Sequence, residues 1–467
     1  MSGLAVLLCA AAALASPAMS APMAKHSGDG ADFALVVDAA TFAVQEINRQ
    51  ENTLFAQVLS NIVQSTKETA TGTGIKYNLL LETVRASNCM NDGTKHTLCT
   101  CDADYSQFST YDVEVLSETW DRPSMNLLSV ERSPAASTAS AAALRKYSIV
   151  DALKNVGHEF QTFLRQYSPG YCNSAPEIRR RADIFKQNMK IAEEFQHNEI
   201  STAKYGITEL ADLTPEEFHQ RYAMPVQIKP EDVQEQLRRG RAQRAAPLNL
   251  NTLPTNFDWR ERNAVTAVKN QGNCGSCWSF SATGNIEGQW AIKTGRLVSL
   301  SEQELLDCDY ADGACGGGLP WTAYGAVKRI GGLDTEENYP YQALRGTCSL
   351  NRADRLYTVN GTVFLAHDEA QMAAWLVRNG PISIGLNARA VQFYQGGIAK
   401  FPSSMCDPNM LDHAMLIVGF GEEHGTPFWI IKNSWGVGFG EEGYWRVYRG
   451  GNLCGLTTAP NSATLPA

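Results

Sequence analysis

No stretch of this sequence approaches the roughly 20 consecutive apolar residues that a membrane-spanning helix needs; the apolar run Leu4 to Leu14 covers eleven. Positive charge is also scarce, since 40 Lys and Arg against 49 Asp and Glu leave a net charge of −9. That argues against the clustered basic surface that nucleic acid or anionic lipid would demand. No compositional bias points to a collagen-like or disordered chain. With 44% apolar and 9% aromatic residues, the 467-residue chain has enough to bury a sizeable core, and its length suggests about three domains.

Cysteine is plentiful. Twelve cysteines are many for a reducing cytosol and fit an oxidising compartment. The N-terminus agrees: Leu4 to Leu14 followed by the small residues Ser16-Pro17-Ala18-Met19-Ser20-Ala21 reads as a signal peptide over residues 1–21, although no Lys or Arg precedes the apolar run. The mature protein is expected to be soluble, without a membrane span, and in the secretory pathway, either lysosomal or extracellular.

Two stretches look unstructured and divide the rest. Ser133 to Ala143 is mostly Ala, Ser and Thr, and Pro225 to Asn251 carries Arg238, Arg239, Arg241 and Arg244 among Gln, Glu and Pro; both compositions suit linkers. The expected division is a domain at 32–130, a linker at 131–149, a helical block at 150–224, a basic linker at 225–252 open to processing, and a C-terminal domain at 253–467.

In the first block Val36, Ala40, Ala43, Val44 and Ile47 recur at helical spacing, whereas Tyr77, Leu79, Leu81 and Tyr111, Val113, Val115 alternate as in strands. Together with Phe42 to Asn48, Ile75 to Leu79 and the pair Cys89 and Cys99, this block resembles the cystatin family. Cystatins block papain-like proteases through a Gln-x-Val-x-Gly hairpin, of which Ala70-Thr71-Gly72-Thr73-Gly74 keeps only the final glycine. Trp120, preceded by Thr119, stands where that family keeps a Pro-Trp loop. A spacer or folding role is expected here rather than inhibition.

In the second block Glu177, Arg181, Phe185, Asn188, Ala192 and Gln196 step by three or four residues and share one face of a helix. Glu177 and Arg181 alone read as an exposed pair at four-residue spacing. The six identities, however, match the interrupted motif of papain-family propeptides, in the form typical of the cathepsin F branch. Gly206-x-Thr208-x-Leu210-x-Asp212 resembles the second propeptide motif.

The third block carries the chemistry. Gln271-Gly272-Asn273-Cys274-Gly275-Ser276-Cys277-Trp278 contains the Cys-Gly-[Ser/Ala]-Cys-[Trp/Tyr] signature of papain-like enzymes. A redox or metal-binding pair is the competing reading. Against it, the seven cysteines from Cys274 onward leave one unpaired in an oxidising compartment, and no second Cys-x-x-Cys completes a zinc site. A helix starting at Ser276–Cys277 would favour the thiolate through its amide hydrogens. Only His367, His413 and His424 follow. His413 precedes the strand-like run Met415 to Phe420 and is the expected base, while the other two lie in polar, solvated stretches. Asn433, in Asn433-Ser434-Trp435-Gly436, can orient the imidazole, with Trp435 shielding that bond. Gln271 can offer its amide to a developing oxyanion, with the Cys277 N–H as second donor.

Residues 253–467 thus resemble a complete papain-family cysteine peptidase, and the whole precursor is similar to the cathepsin F branch of that family. The resemblance implies an α+β fold, with a helical lobe and a β-barrel lobe forming the papain-like two-lobed catalytic domain. A helical propeptide and a cystatin-like α+β domain precede it. It implies the disulfides Cys274–Cys315, Cys308–Cys348 and Cys406–Cys454, with Cys89–Cys99 after the cystatin pattern; Cys101 and Cys172 have no counterpart. Gly318 is expected to bind substrate backbone. Leu319, Pro320, Gly385, Leu411, Ala414 and Ala459 are expected to wall an uncharged pocket for the second residue before the cut, P2. No cofactor and no metal are called for. The expected partners are protein and peptide substrates, the chain's own propeptide, and cystatin-type inhibitors, with a monomeric mature form. Asn360-Gly361-Thr362 is the one glycosylation sequon. A binding protein acting through the cystatin-like block is the alternative to a peptidase, and the intact set Gln271, Cys277, His413 and Asn433 favours the peptidase.

Overall fold

The computed structural model describes residues 39–40, 42–44, 55–69, 75–90, 103–117, 125–133, 152, 156–167, 171, 175–223, 228–251, 253–350 and 356–466. The expected signal peptide and the hairpin at 70–74 lie outside the described residues. So do Cys99, Trp120, Cys101 and Cys172, and the side chain of Cys89 is not described either. The chain divides into two compact units, 1–186 and 187–467.

The first unit holds four antiparallel strands paired in chain order: β1 Phe55–Thr69, β2 Ile75–Met90, β3 Ala103–Ser117 and β4 Met125–Ser133. Residues 39–40 and 42–44 are helical. Leu79 and Leu81 of β2 and Val113 and Val115 of β3 are buried, as are Ala40, Ala43 and Val44, so each alternation or helical spacing in the sequence marks a covered face. The unit also contains α1 His158–Tyr167 and the start of α2 Ala175–Asn198. Phe160 and Phe163 pack on Phe185 with ring centroids 5.2 and 5.3 Å apart. Glu177 accepts from both Arg180 and Arg181 at 2.8 Å.

In the second unit Asn188 and Ala192 lie on the buried side of α2 and Gln196 is half-buried. The Asn188 amide donates to the carbonyls of Ala211 and Leu213, both at 2.8 Å, which ties the helix to the loop carrying the second motif. Then come β5 Lys204–Tyr205, α3 Pro215–Tyr222, α4 Pro230–Arg238 and β6 Ala242–Arg244. Thr214 and Glu217 close a capping box on α3, satisfying two amide donors that a helix start leaves open.

The segment 225–252 is therefore not the structureless linker its composition suggests. Pro230 sits at the first helical position with Glu231 and Asp232 in the first turn of α4, a favourable placement for the helix dipole. Val233 is buried, and β6 pairs in parallel with β8 Gly361–Phe364.

The catalytic-block residues build two cores. One surrounds α5 Cys277–Thr294, α6 Glu302–Cys308 and α7 Pro320–Ile330. The other lies under a nine-stranded sheet and α8 Glu369–Asn379. The sheet contains β6 at one edge beside β8, β9 Ile382–Leu386 within it and, off its main path, β7 Phe257–Asp258. After β10 Tyr394–Gly396, which pairs only with β5, it takes in β11 Ile398–Ala399, β12 His413–Glu423, β13 Thr426–Lys432, β14 Tyr444–Tyr448 and β15 Asn461–Thr464. The result is an α+β architecture. Helix α5 is buried from Cys277 through Gly288 although its sequence carries Ser, Thr, Asn and Glu. Each polar group has a partner: Ser281 donates to Met415 O at 2.8 Å, Asn285 to Pro381 O at 2.7 Å, and Glu287 accepts from Thr266 at 2.6 Å. Paired polar groups make such burial tolerable. At Gly284 an added Cβ would lie 2.9 Å from Leu416, so glycine allows the helix to approach the sheet that carries His413.

Candidate active site

Cys277 is the first residue of α5, with Ser276 at the cap position. The loop before it is pinned by the Cys274–Cys315 disulfide and by Gly275 N donating to Cys315 O at 3.1 Å. Trp278 is fully buried and donates its indole N–H to Ala314 O at 3.0 Å. Cys277 is the one free thiol among the described residues. Its Sγ accepts from Ala414 N at 3.5 Å.

His413 opens β12, paired with Leu386 of β9. Its Nε2 meets Asn433 Oδ1 at 2.9 Å. An amide oxygen only accepts, so Nε2 carries the hydrogen and Nδ1 keeps the lone pair. Nδ1 is buried without a hydrogen-bond partner. The Trp435 ring lies 4.8 Å from the imidazole, itself 1% exposed. Ser434 Oγ donates to Gln271 Oε1 at 2.6 Å, which fixes the amide so that its NH₂ points towards the start of α5. There Nε2 donates to Cys274 O at 2.9 Å, with a long contact of 3.5 Å to Tyr222 O.

Helix α5 does not hold a thiolate in this state. Burial pushes the Cys277 thiol up to about 12, against the smaller opposing effect of the Ala414 N–H. Burial likewise pulls His413 down to about 4, opposed by the bond to Asn433. Desolvation disfavours whichever form is charged, so burial favours a neutral Cys277 thiol and a neutral His413 imidazole in the covered site. The expected gain from helix amides is real but smaller than the loss of water.

What covers the site is the end of α3 and, beyond it, Ile228. Phe218 and Tyr222 set their rings edge-on to Trp435 at 5.5 and 5.7 Å. Farther on, Ile228 N donates to Leu411 O at 3.0 Å. Its side chain reaches to 2.3 Å from where a Cβ of Gly385 would stand; only glycine leaves that room. Ile228, Leu411, Ala414 and Ala459 are buried in one apolar cluster, with Leu319 packed against it. Of the six expected pocket walls, Leu411 and Gly385 thus meet Ile228 directly, and Ala414, Ala459 and Leu319 belong to the same apolar cluster. The sixth, Pro320, is buried as the first residue of α7. At Gly318 a Cβ would strike Trp278 at 2.6 Å.

His367 and His424 are exposed and distant in sequence from any of these contacts. Asn360 is exposed, immediately before β8. The pairs Cys308–Cys348 and Cys406–Cys454 are disulfide-bonded. Sequence reasoning missed Tyr222, Ile228 and Ser434. For Ile228 a faint signal existed: Val226 and Ile228 alternate between Pro225 and Pro230, and a residue before proline is held extended, which is the shape of a strand laid into a cleft.

Comparison with known proteins adds to this geometry. Residues 253–464 match the pattern of the papain family cysteine proteases and residues 160–218 that of the cathepsin propeptide inhibitor domain (I29). The chain is 48% identical over 317 residues to a cathepsin F of Drosophila melanogaster and 46% identical over 306 residues to one of Mus musculus, each match covering 66% of this chain. It spans 50% and 64% of the lengths of these relatives. Among solved structures, a digestive procathepsin L2 proteinase from Tenebrio molitor larval midgut superposes with a TM-score of 0.59 at 34% identity, over 66% of this chain and 99% of that one.

Proposed function

The chain belongs to the papain family of cysteine proteases, and on that premise we propose that it is a cysteine endopeptidase made as an inactive zymogen. Cys277 is the nucleophile, His413 the base and acid, Asn433 the residue that orients the imidazole, and Gln271 an oxyanion donor. Once the cleft is open and wet, the proton of Cys277 passes to His413 Nδ1, giving a thiolate and an imidazolium. The thiolate attacks the scissile carbonyl carbon, and the negative charge on its oxygen is met by Gln271 Nε2 and the Cys277 N–H. The imidazolium returns its proton to the leaving amine, and water then hydrolyses the thioester. Asn433 accepts from Nε2 throughout and Trp435 keeps water from that bond.

The observation that carries this reading is the 2.9 Å contact between His413 and Asn433 beside the buried free thiol at the head of α5. Ile228 supports the inhibitory role of the propeptide, because it fills an uncharged pocket as a P2 side chain would. From the walls Leu319, Gly385, Leu411, Ala414 and Ala459, P2 Leu, Val or Phe is preferred. Alkylation decides: a thiol reagent should label Cys277 and abolish peptide hydrolysis in the processed protein, and should label the precursor far more slowly. Hydrolysis that survives full labelling of Cys277 would exclude this mechanism.

The secretory pathway, ending in the lysosome or outside the cell, suits three disulfides in the catalytic block and the apolar N-terminal run. Among the described residues no helix is long and apolar enough to cross a membrane. We read residues 32–130 as a cystatin-like spacer, a reading supported by a short helix and a four-stranded antiparallel sheet. Cystatin-type inhibitors would enter the same cleft, and the mature form is expected to be a monomer.

A further inference from the structure

Between α4 and β6 the chain turns through Arg239-Gly240-Arg241, all exposed. Gly240 has φ +64°, with nothing within 4 Å of an added Cβ. A cavity of about 780 Å³ lies beside the turn, lined by Gln236, Gly240 and Arg241 on one side and by Lys328, Arg329 and Asn360 among those opposite. The charged residues lining it are Arg241, Lys328 and Arg329, the last paired with Asp309 at 3.0 Å. The turn is held by helix-end bonds, Arg239 N to Glu235 O, Gly240 N to Leu237 O and Arg241 N to Gln236 O, at 3.0 to 3.1 Å, and by the exposed ion pairs of Arg238 and Arg239 with Glu235. Such terminal turns fray readily.

The flanks are anchored. Upstream, Ile228 occupies the pocket and Val233 is buried. Downstream, β6 pairs with β8, Ala245 N donates to Phe364 O, Leu248 is bound through both its N–H and its carbonyl to the Gln371 amide, and Arg378 donates to Asn249 O. A protease needs an extended stretch of backbone, and to supply it 236–241 gives up the last turn of α4, the Glu235 ion pairs and the packing of the half-buried Leu237, none of which is a backbone bond to the catalytic block like those on the downstream flank. In that stretch Leu237 stands second before the bond Arg238–Arg239, as the apolar pocket proposed above requires.

We propose that the first maturation cut falls at Arg238–Arg239, made by a second, already active copy of this peptidase, and that β6 remains with the catalytic body. This rests on the P2 preference inferred above. The cut is intermolecular because Ile228 fills the chain's own pocket. Cys277 of the active copy attacks the Arg238 carbonyl carbon, the C–N bond breaks and the Arg239 amine leaves with a proton from His413. Water then releases the Arg238 carboxylate and restores the thiol. The new chain, from Arg239 onward, keeps a strand that pairs in parallel with Gly361–Phe364.

A Cys277→Ser full-length chain, unable to cut itself, should be treated with a trace of the active enzyme, and the earliest product read by intact mass and N-terminal sequencing. A peptide with P2 Leu serves as a parallel substrate. The expected product begins at Arg239, and Leu237→Asp should slow its appearance at least tenfold while trypsin cuts the turn of that variant as fast as before. An earliest product beginning between residues 246 and 253 overturns the inference. So does a chain left intact while the peptide is hydrolysed, which spares the peptidase assignment. An enzyme that cuts neither chain nor peptide removes both.

Discussion

The pro-segment meets the catalytic block in two regions of different chemistry. From Phe195 to Tyr222 the contact resembles a domain core: Phe195, Tyr205, Leu210, Leu213 and Phe218 are buried in the same apolar cluster as Tyr394, Phe401 and Trp435. Tyr205 lies between Phe195 at 5.4 Å and Phe401 at 6.4 Å, and β5 adds a strand to β10. Thr208 donates to Gln392 O at 2.7 Å, and the Gln392 amide donates back to Leu210 O at 3.0 Å. From Ile228 to Arg238 the contact is sparser, with Ile228 buried, one backbone bond from it to Leu411, and a helix whose one buried side chain is Val233. The first region is built to form with the fold and the second to be given up. Their separation predicts that folding and inhibition depend on different residues.

The largest expected effect tests the first region. Tyr205→Ala removes a buried ring from an aromatic cluster, a change that costs about 3–5 kcal/mol, enough to unfold a marginally stable domain. The full-length variant is expected to give little soluble protein on refolding, whereas Ile228→Ala should refold normally. Equal yields from both would mean that the two regions do not differ in this way.

The next effect belongs to the pocket. Ile228→Ala gives up about 2 kcal/mol or more of burial, roughly thirtyfold in the population of the open cleft, so alkylation of Cys277 in the precursor at pH 7 should quicken by at least tenfold. In the processed enzyme the same walls should favour P2 Leu over P2 Arg. Burying Leu gains about 1.5–3 kcal/mol, while a cation there loses hydration with no carboxylate in return. The ratio of kcat/KM between substrates differing only at P2 should exceed tenfold; a ratio near one removes Ala459 and its neighbours from the pocket.

Cys277, His413 and Asn433, proposed here as nucleophile, base and orienting amide, were legible as candidates in the sequence because each lies in a local motif whose identity survives without its surroundings: Cys277 before Trp278, His413 before an apolar strand, Asn433 before Ser434 and Trp435. The strands β2 and β3 were legible for a similar reason, since period-two burial writes itself into Leu79, Leu81, Val113 and Val115. Helix α4 was not. Its nine residues carry one buried side chain, Val233, too little for a periodic signal, and the arginines around it read as a linker. The protonation states of Cys277 and His413 were hidden altogether, because they depend on burial by residues far away in the chain.

Those protonation states give the smallest expected effect, an acid response. His413 is held at about 4 by burial in the covered site, below its ordinary value of 6.5. A base whose pKa is lowered in one state binds its proton more tightly in the other, so protonation favours the open cleft wherever Cys277 there is still a thiol; the open form that already holds the Cys277 proton on His413 takes up none and adds nothing to the bias. The bias grows as pH falls from about 6.5 to about 4 and stops below that, where both states are charged. One proton sets a limit of tenfold per pH unit. Carboxylates in the docked pro-segment oppose it. Burial raises Glu199 and Glu209, so their protonation favours the docked state and offsets part of the gain from above pH 4.5 downwards. Glu199 accepts from Lys400 N at 2.9 Å. Glu177 behaves differently: Arg180, then Arg181, hold its carboxyl below the usual range, so its ion pairs persist until pH falls below 4.5 and do not start the response. Maturation followed at pH 7, 6, 5 and 4, with the activity of the processed enzyme measured in parallel and divided out, should accelerate towards acid by less than tenfold per unit. Glu199→Gln should steepen that profile between pH 6 and 4. A corrected rate that is flat from pH 7 to 4 would show that the His413 proton does not govern opening.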